Sequence, residues 1–279
     1  MINQVQDQVR HFYDQVGWHQ VSDGVYQNAR YEDLRPVSQP YIHQCHLRVK
    51  RHLKSQGRFL LDAGSGPIQY PEYLEYSKGY QYRVCADLSI VALQEARQRI
   101  GESGLFAVAD VAHLPFKCDA FDGIVTLHTF HHLPEGGHLQ AYQEVYRVLM
   151  PASSAVIVNG WEEPLLTLIL EAPLRMRRSL RILYKNIKKR FSSPKGHEEE
   201  VKGTFVAKNS AGQLKKELSE EMNVDILVWR SVSVRFLRAY IHAPFGGRVL
   251  LRGLYWLEEH FPRFFGENGQ YPLIVLRKS

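Results

Sequence analysis

One acid and two glycines packed into a single short turn carry the first chemical signal in this 279-residue chain. In the run FLLDAGSGPI (59–68), Asp62, Ala63, Gly64, Ser65 and Gly66 follow three apolar residues, and Pro67 then opens an amphipathic, Tyr-rich stretch. The order reads as strand, tight turn and helix start. Gly64 and Gly66 lack a Cβ and reach backbone angles closed to other residues, so a bound molecule could approach the main chain closely. A dinucleotide fingerprint would require a third glycine where Gln69 stands, and Asp62 would repel a doubly negative pyrophosphate. A cationic ligand suits the turn better. A second cluster, His128, His131 and His132 in HTFHHLPE, brings imidazoles that titrate near neutrality and can accept a proton.

These groups need elements to hold them. Residues 82–86 (YRVCA) read as a second strand with Asp87 at its end, about 21 residues past Gly66. Residues 105–109 (LFAVA) read as a third, ending in Asp110 and followed by Val111. A buried fourth strand at 121–127 (FDGIVTL) runs into the histidines; a helix at 139–149 (LQAYQEVYRVL) ends at Pro151, and 155–159 (AVIVN) makes a fifth strand. Strands alternating with helices at this spacing imply parallel pairing through right-handed crossovers. The order of motifs resembles the class I S-adenosylmethionine (SAM) dependent methyltransferases, closely over about residues 50–160. It is nearest the group that includes quinone-biosynthesis and small-molecule methyltransferases, in which patterns like HHL and EVYRVL recur.

The resemblance implies an α/β, Rossmann-like seven-stranded sheet in the order 3-2-1-4-5-7-6, its last strand antiparallel, with helices on both faces and helical cap insertions. It implies SAM as cofactor, a sulfonium and ammonium carrier without phosphate, which agrees with Asp62. On that pattern Asp62, Ala63, Gly64, Ser65 and Gly66 form the cofactor turn, Asp87 with Leu88 meets the ribose hydroxyls, Asp110 with Val111 meets adenine, and the backbone of His128 borders the methionine part. In related enzymes an N-terminal helix and the loop after it cover the ligand. The helix at 5–16 fits this, and Tyr13, Trp18, Tyr26, Tyr31 and Arg35 are candidates to line the cover, against the plainer alternative that the aromatics only pack it on the core. Two departures stand out: Ile68 occupies a position where the family often has glycine, bearing on the ligand's approach, and MPASS (150–154) replaces the usual Lys-Pro-Gly-Gly in what reads as a connecting loop.

Oxygen methylation often uses a base, and His131 leads the candidates ahead of His128 and His132, because His132 matches a position where it supports the loop. Methyl transfer does not demand a base, since the sulfonium is already electrophilic and holding donor and acceptor in line can be worth ~7–11 kcal/mol.

Composition sets the outer bounds. With 44% hydrophobic and 23% charged residues the chain can bury a large core. Cys45, Cys85 and Cys118 are scattered without a CxxC pair and read as reduced packing residues. The start, MINQVQDQVRHFY, lacks an apolar signal core, and the expectation is a cytoplasmic protein. A net charge of +6 leaves acidic partners open. A helix at 40–53 carries His43, His46 and His52; with no carboxylate placed beside them they read as solvated, and no metal site is expected.

Beyond the fifth strand the resemblance thins. Residues 161–174 are apolar, and 175–191 (RMRRSLRILYKNIKKRF) carry eight Lys or Arg around a stripe of Met176, Leu180, Leu183, Ile187 and Phe191. A cap helix with a solvated basic face ranks first, an anionic membrane surface second, then RNA or a partner protein; nucleic acid is disfavoured for want of any recognised module. Residues 192–203 read as an exposed loop, Ser210 as the N-cap of a helix at 211–222, and 224–229 and 271–276 as the sixth and seventh strands. The division is therefore an N-terminal cap, 1–54, and a SAM-binding domain, 55–279, with cap insertions at about 161–209 and 244–266. The function expected is methyl transfer to a small, lipophilic acceptor at oxygen or carbon, the alternatives being an RNA or protein methyltransferase or a SAM-binding protein without catalysis.

Overall fold

The structure, a computed structural model, describes residues 2–18, 20–22, 25–26, 32–134, 136–189, 205–218 and 222–279. Helix α1 (Ile2–Phe12) passes into a wider helical turn, Tyr13–Gly17, and a small antiparallel pair, β1 (Gln20–Ser22) with β2 (Val25–Tyr26), follows. Helix α2 (Gln39–Leu47) is shorter than the 40–53 helix expected, and Val49–His52 forms a separate tighter turn. The main sheet then builds through β3 (Gly57–Ala63), β4 (Tyr80–Asp87), α3 (Ile90–Ile100), β5 (Gly104–Val108), β6 (Phe121–Leu127), α4 (Gly137–Val148) and β7 (Leu149–Val158). It closes with α5 (Leu165–Lys189), α6 (Ala211–Leu218), β8 (Asn223–Arg230), α7 (Val234–Tyr240), α8 (Gly247–His260), α9 (Pro262–Asn268) and β9 (Tyr271–Lys278).

The sheet order is β5-β4-β3-β6-β7-β9-β8, which is 3-2-1-4-5-7-6 when its strands are counted along the chain. All neighbours pair in parallel except β9, antiparallel to both β7 and β8. Because side chains alternate along a strand, each strand feeds two cores. Leu61, Ala63, Val84, Ile124 and Ile157 pack on one face with α4 and α6; Leu60, Cys85, Val125, Val156 and Val275 pack on the other with Leu93, Tyr76 and Trp229. A third cluster joins Tyr41, Ile42 and Cys45 of α2 to Leu237 of α7 and Leu251 of α8. Inside it Glu258 is wholly buried and satisfied, accepting from Tyr41 Oη at 2.7 Å, Arg48 Nη1 at 2.9 Å and Ser231 N at 2.9 Å.

Three local expectations need correction. The helix start at Pro67 is absent: the next regular piece is a tight 3₁₀ turn, Pro71–Ser77. Pro71 has no N–H to close an α-helical bond onto residue 67, and the ligand turn therefore has no helix dipole behind it. MPASS is no connecting loop. It lies inside β7, whose register jumps from Phe121↔Leu149 to Gly123↔Ser154, so the extra residues form a bulge with Ala152 at φ 55°. Arg35 does not cover the cleft, since it is held by Asp33 at 2.7 Å and by the Leu237 carbonyl at 2.8 Å. Tyr31 and the loop at 192–203 lie outside the described residues, as do the side chains of Tyr26 and of the distal half of α5.

Candidate active site

Crossovers diverge on either side of β3 and β6, and at that switch point the carboxyl ends of the strands open into a cavity. Its volume is about 450 Å³. That is within the usual ~300–1,000 Å³ of small-molecule sites. Gly64 and Gly66 take φ 73° and 55° in the turn behind β3. A methyl on Gly64 would collide with the Thr129 side chain, and one on Gly66 would stand 3.0 Å from the Trp18 ring. The two glycines thus let the histidine loop and the N-terminal segment close on the turn. Gly64 and Ser65 form cavity wall; Ala63 and Gly66 do not, being turned into the sheet and under Trp18. Ile68 shares the positive φ, at 55°, but its side chain is completely buried in the core on the α3 side of the sheet, so it does not narrow the site.

Asp62 lines the cavity, yet its charge is already matched: Oδ2 accepts from Nε of buried Arg83 at 3.1 Å and, more closely, from Nη2. The acid taken as partner of a cationic ligand therefore belongs to a buried ion pair. Asp87 is different. It ends β4, accepts from Gly66 N at 2.9 Å and Ser89 N at 2.8 Å, and has no cationic partner among the described residues. Burial, outweighing those two donors and aided by Asp62 and Asp14, pushes its carboxyl up to about 6. Leu88, Asp110 and Val111 continue the same wall, with Asp110 accepting from Ala112 N at 2.9 Å and meeting His113.

The cover is α1 and the turn after it. Val9, Phe12, Tyr13 and Trp18 line the cavity, the last two stacked with ring centroids 4.9 Å apart. Two contacts dock them on the sheet: Tyr13 Oη lies 2.7 Å from His132 Nε2, and Ser89 Oγ donates to Asp14.

All three histidines reach the cavity. His132 Nδ1 donates to the Phe205 carbonyl at 2.9 Å, which leaves Nε2 to accept from Tyr13, so both nitrogens are used in holding loops together. His131 Nδ1 meets Asn159 Oδ1 at 2.8 Å, leaving Nε2 as its lone-pair nitrogen. His128, held at φ 57° with its N–H on the Val158 carbonyl, packs its ring against Trp229 and Tyr271 and has no side-chain hydrogen bond among the described residues. Burial, then the nearby Arg230, pushes the His128 imidazole down to about 3. Burial, then His132, drives His131 well below its ordinary value, and burial also lowers His132. The cluster is neutral at physiological pH and weakly basic.

The opposite wall was missed. It comprises Glu32, Tyr70, Tyr73, Gly160, Lys208, Arg230 and Tyr271. Arg230 ends β8 and Tyr271 begins β9; because β9 runs antiparallel, its first residue lies on the same edge as the ends of the parallel strands. That placement was available from the expected strand order. Glu32 and Lys208 carry no local signal. Burial would raise Glu32, but Arg230 and His46 together outweigh it and hold the carboxyl at about 2. His46, expected to be solvated, is buried between Glu32 at 3.7 Å and Glu72 at 3.4 Å and stacked on Trp229; Glu72 also meets His43 at 2.6 Å, and His52 is half-buried. So carboxylates do stand beside these histidines, Glu32 from 14 residues before His46 and Glu72 from 26 residues after it. Among the described residues, none of the helices α5, α8 and α9 contributes to the cavity, and the first insertion reaches it through Val206 and Lys208.

Sheet order, switch-point cavity and strand-end acids together define a Rossmann-like domain. Residues 61–157 match the family model described as a methyltransferase domain. Methyltransferase GfsG of Streptomyces halstedii is 31% identical over 126 residues, a match that spans 42% of this chain and 44% of that protein. Among solved structures, a DhpI–SAM–HEP complex aligns with TM-score 0.55 at 10% identity over 99% of this chain and 97% of the other. The [4+2]-cyclase SpnF aligns with TM-score 0.53 at 16% identity over 98% and 96%. At these identities the two structures show a shared fold.

Proposed function

We propose that this chain is a SAM-dependent methyltransferase acting at oxygen or carbon of a small, partly apolar molecule. The observation that carries the reading is the half-buried carboxylate of Asp87 at the end of β4, held by two backbone N–H groups and without a cationic partner among the described residues, inside a cavity roofed by Tyr13 and Trp18. In this reading Asp87 and Leu88 take the ribose, Asp110 and Val111 the adenine, and Gly64, Ser65 and the His128 backbone border the methionine part. Residues 1–54 supply the cover, with α1 its active portion, and 55–279 the SAM-binding unit. SAM supplies an electrophilic methyl group when bound; the protein's part is to hold donor and acceptor in line and exclude water. The matched GfsG segment supports methyl transfer, whereas a cyclase among the structural neighbours supports keeping a SAM-binding protein with other chemistry as the second reading.

Calorimetry with S-adenosylhomocysteine tests the cofactor site. Mass spectrometry of a metabolite extract incubated with methyl-labelled SAM tests transfer; cofactor binding without any labelled product favours the second reading. His131 and His128 are neutral hydrogen-bond acceptors for the substrate in this scheme, and His132 fixes the cover. Peripheral contact with an anionic membrane belongs to α8 and its flanks rather than to the cleft. Phe245, Val249, Leu250, Trp256 and Phe261 are exposed there beside Arg248 and Arg252, an apolar and cationic surface suited to anionic lipid. Flotation with phosphatidylserine vesicles at low salt tests it, and absence of binding removes it. No helix of the described residues is long and apolar enough to cross a membrane.

A further inference from the structure

Among the described residues, the charges that line the cavity have ion-pair partners except those of Asp87 and Lys208. Asp62 has Arg83, Asp110 has His113 at 2.9 Å, Arg10 has Asp7 at 2.9 Å, and Glu32 has Arg230 and His46. Asp87 is held by two backbone N–H groups. Lys208 has no carboxylate within ion-pair distance and no hydrogen bond from Nζ among the described residues. Its ammonium is drawn in, not extended to solvent: a methyl group on Gly160 would stand 3.3 Å from Nζ, and burial lowers the lysine's proton affinity, with Glu162 the acid that acts against this.

The backbone around Lys208 is pinned to the histidine loop. The Phe205 carbonyl accepts from His132 at 2.9 Å, Ala207 N donates to the His131 carbonyl at 2.8 Å, and Asn209 meets His138 at 3.0 Å while its carbonyl accepts from Glu162 N at 3.2 Å. The ammonium is thus positioned in advance. Among the described residues, Glu32 on the same wall is engaged by Arg230 and His46, and Glu162 acts on the ammonium only from beyond ion-pair distance. The three histidines are neutral, and Arg230, engaged by Glu32 through Nη1, leaves its buried Nε–H without an acceptor among the described residues. A partly desolvated cation without a counter-charge is costly, and a ligand anion removes that cost.

Two parts of the cavity are distinct. Asp87 and Asp110 end β4 and follow β5 on one side of the switch point, whereas Lys208, Gly160, Arg230 and Tyr271 sit beyond β6 on the β7–β9–β8 side. We propose that Lys208 is the anion anchor of the acceptor subsite, and that the molecule methylated carries an oxyanionic group, a carboxylate or a phosphate, which this ammonium receives. The proposal rests on the methyl-transfer reading above.

The test titrates three probes, benzoate, phenyl phosphate and benzamide, into the full chain saturated with S-adenosylhomocysteine, using wild type, Lys208→Met and Lys208→Arg. The expected result is that one of the two anions binds at least tenfold more tightly than benzamide, that Lys208→Met abolishes this preference, and that Lys208→Arg retains it. Which anion binds decides between carboxylate and phosphate. S-adenosylhomocysteine affinity should stay within twofold in all three proteins, which also shows that the variants are folded. Equal binding of benzamide and both anions, or an anion preference that survives Lys208→Met, overturns the proposal. A tenfold loss of S-adenosylhomocysteine affinity in Lys208→Met also overturns it, by assigning the lysine to the methionine carboxylate. Failure of S-adenosylhomocysteine to bind wild type refutes the methyl-transfer reading itself, and the acceptor subsite with it.

Discussion

Asp87→Asn should make the free protein more stable at neutral pH while removing its response to cofactor. The wild-type carboxyl lies at about 6 in the fold against 3.8 for the free side chain, because burial opposes its ionisation. A folded value above the unfolded one means that the folded chain binds the proton more tightly. Its contribution is therefore fully present below pH 3.8 and is lost as pH rises through about 6. The loss at pH 7 and above is about 3 kcal/mol, from a difference of roughly two units at 1.36 kcal/mol each. Asparagine has one acceptor oxygen where the carboxylate has two, so one of the bonds from Gly66 N and Ser89 N is lost, at about 1–2 kcal/mol. The net gain for the variant is about 1–2 kcal/mol above pH 7, or about 2–6 °C in Tm for a chain of this size. It should shrink to nothing or reverse near pH 4. Differential scanning calorimetry of both proteins at half-unit steps from pH 4 to 8 reads the difference, and acid effects common to both cancel. Added SAM should raise the wild-type Tm and leave the variant's nearly unchanged, on the proposal that Asp87 takes the ribose. A variant less stable than wild type at pH 8, or a difference that does not move between pH 4 and 7, would refute the reasoning.

Other substitutions probe separate parts. Ala152→Gly, at an exposed residue with φ 55°, should stabilise by about 0.5–1 kcal/mol in urea denaturation, the relief of left-handed strain exceeding the glycine's entropy cost. Ile68→Gly should do the opposite at the same φ of 55°, losing about 2–5 kcal/mol, because its side chain fills the core completely. Arg83→Met should cost about 3–5 kcal/mol by leaving Asp62 charged and buried without its guanidinium, and adding Asp62→Asn should recover much of that loss. Alanine at His128, His131 or His132, assayed for turnover at saturating SAM, should lower the rate less than tenfold for the first two, whose imidazoles are poor bases; a loss of ~10²–10⁴ at either would restore general-base catalysis.

Local chemistry made part of this protein legible. The run FLLDAGSG specified a strand and a turn without Cβ, because apolar continuity and glycine spacing depend on the chain alone. The alternation of strands with helices then implied parallel pairing, and the resemblance to the methyltransferases supplied the sheet order. The acids behind β4 and β5 followed, since a residue at a strand's carboxyl end lies at the cleft whatever surrounds it. The break in the helix after Pro67 is also legible, from Pro71, which has no N–H to donate.

What only the tertiary structure decided was which charges meet. Arg83 sits 21 residues from Asp62 and neutralises it; Glu32 reaches Arg230 across 198 residues. His46 is buried, yet its proton affinity is raised because Glu32 and Glu72 close on it, whereas burial without such carboxylates lowers that of His131. The exposed stripe of α8 and the unpaired ammonium of Lys208 are likewise facts of packing, since whether an apolar face or a charge has a partner depends on every other element. Periodicity and turn chemistry act between near neighbours in the chain, whereas Coulomb energy and desolvation act between near neighbours in space. The first set fixed where the cleft lies, and the second fixed its sign.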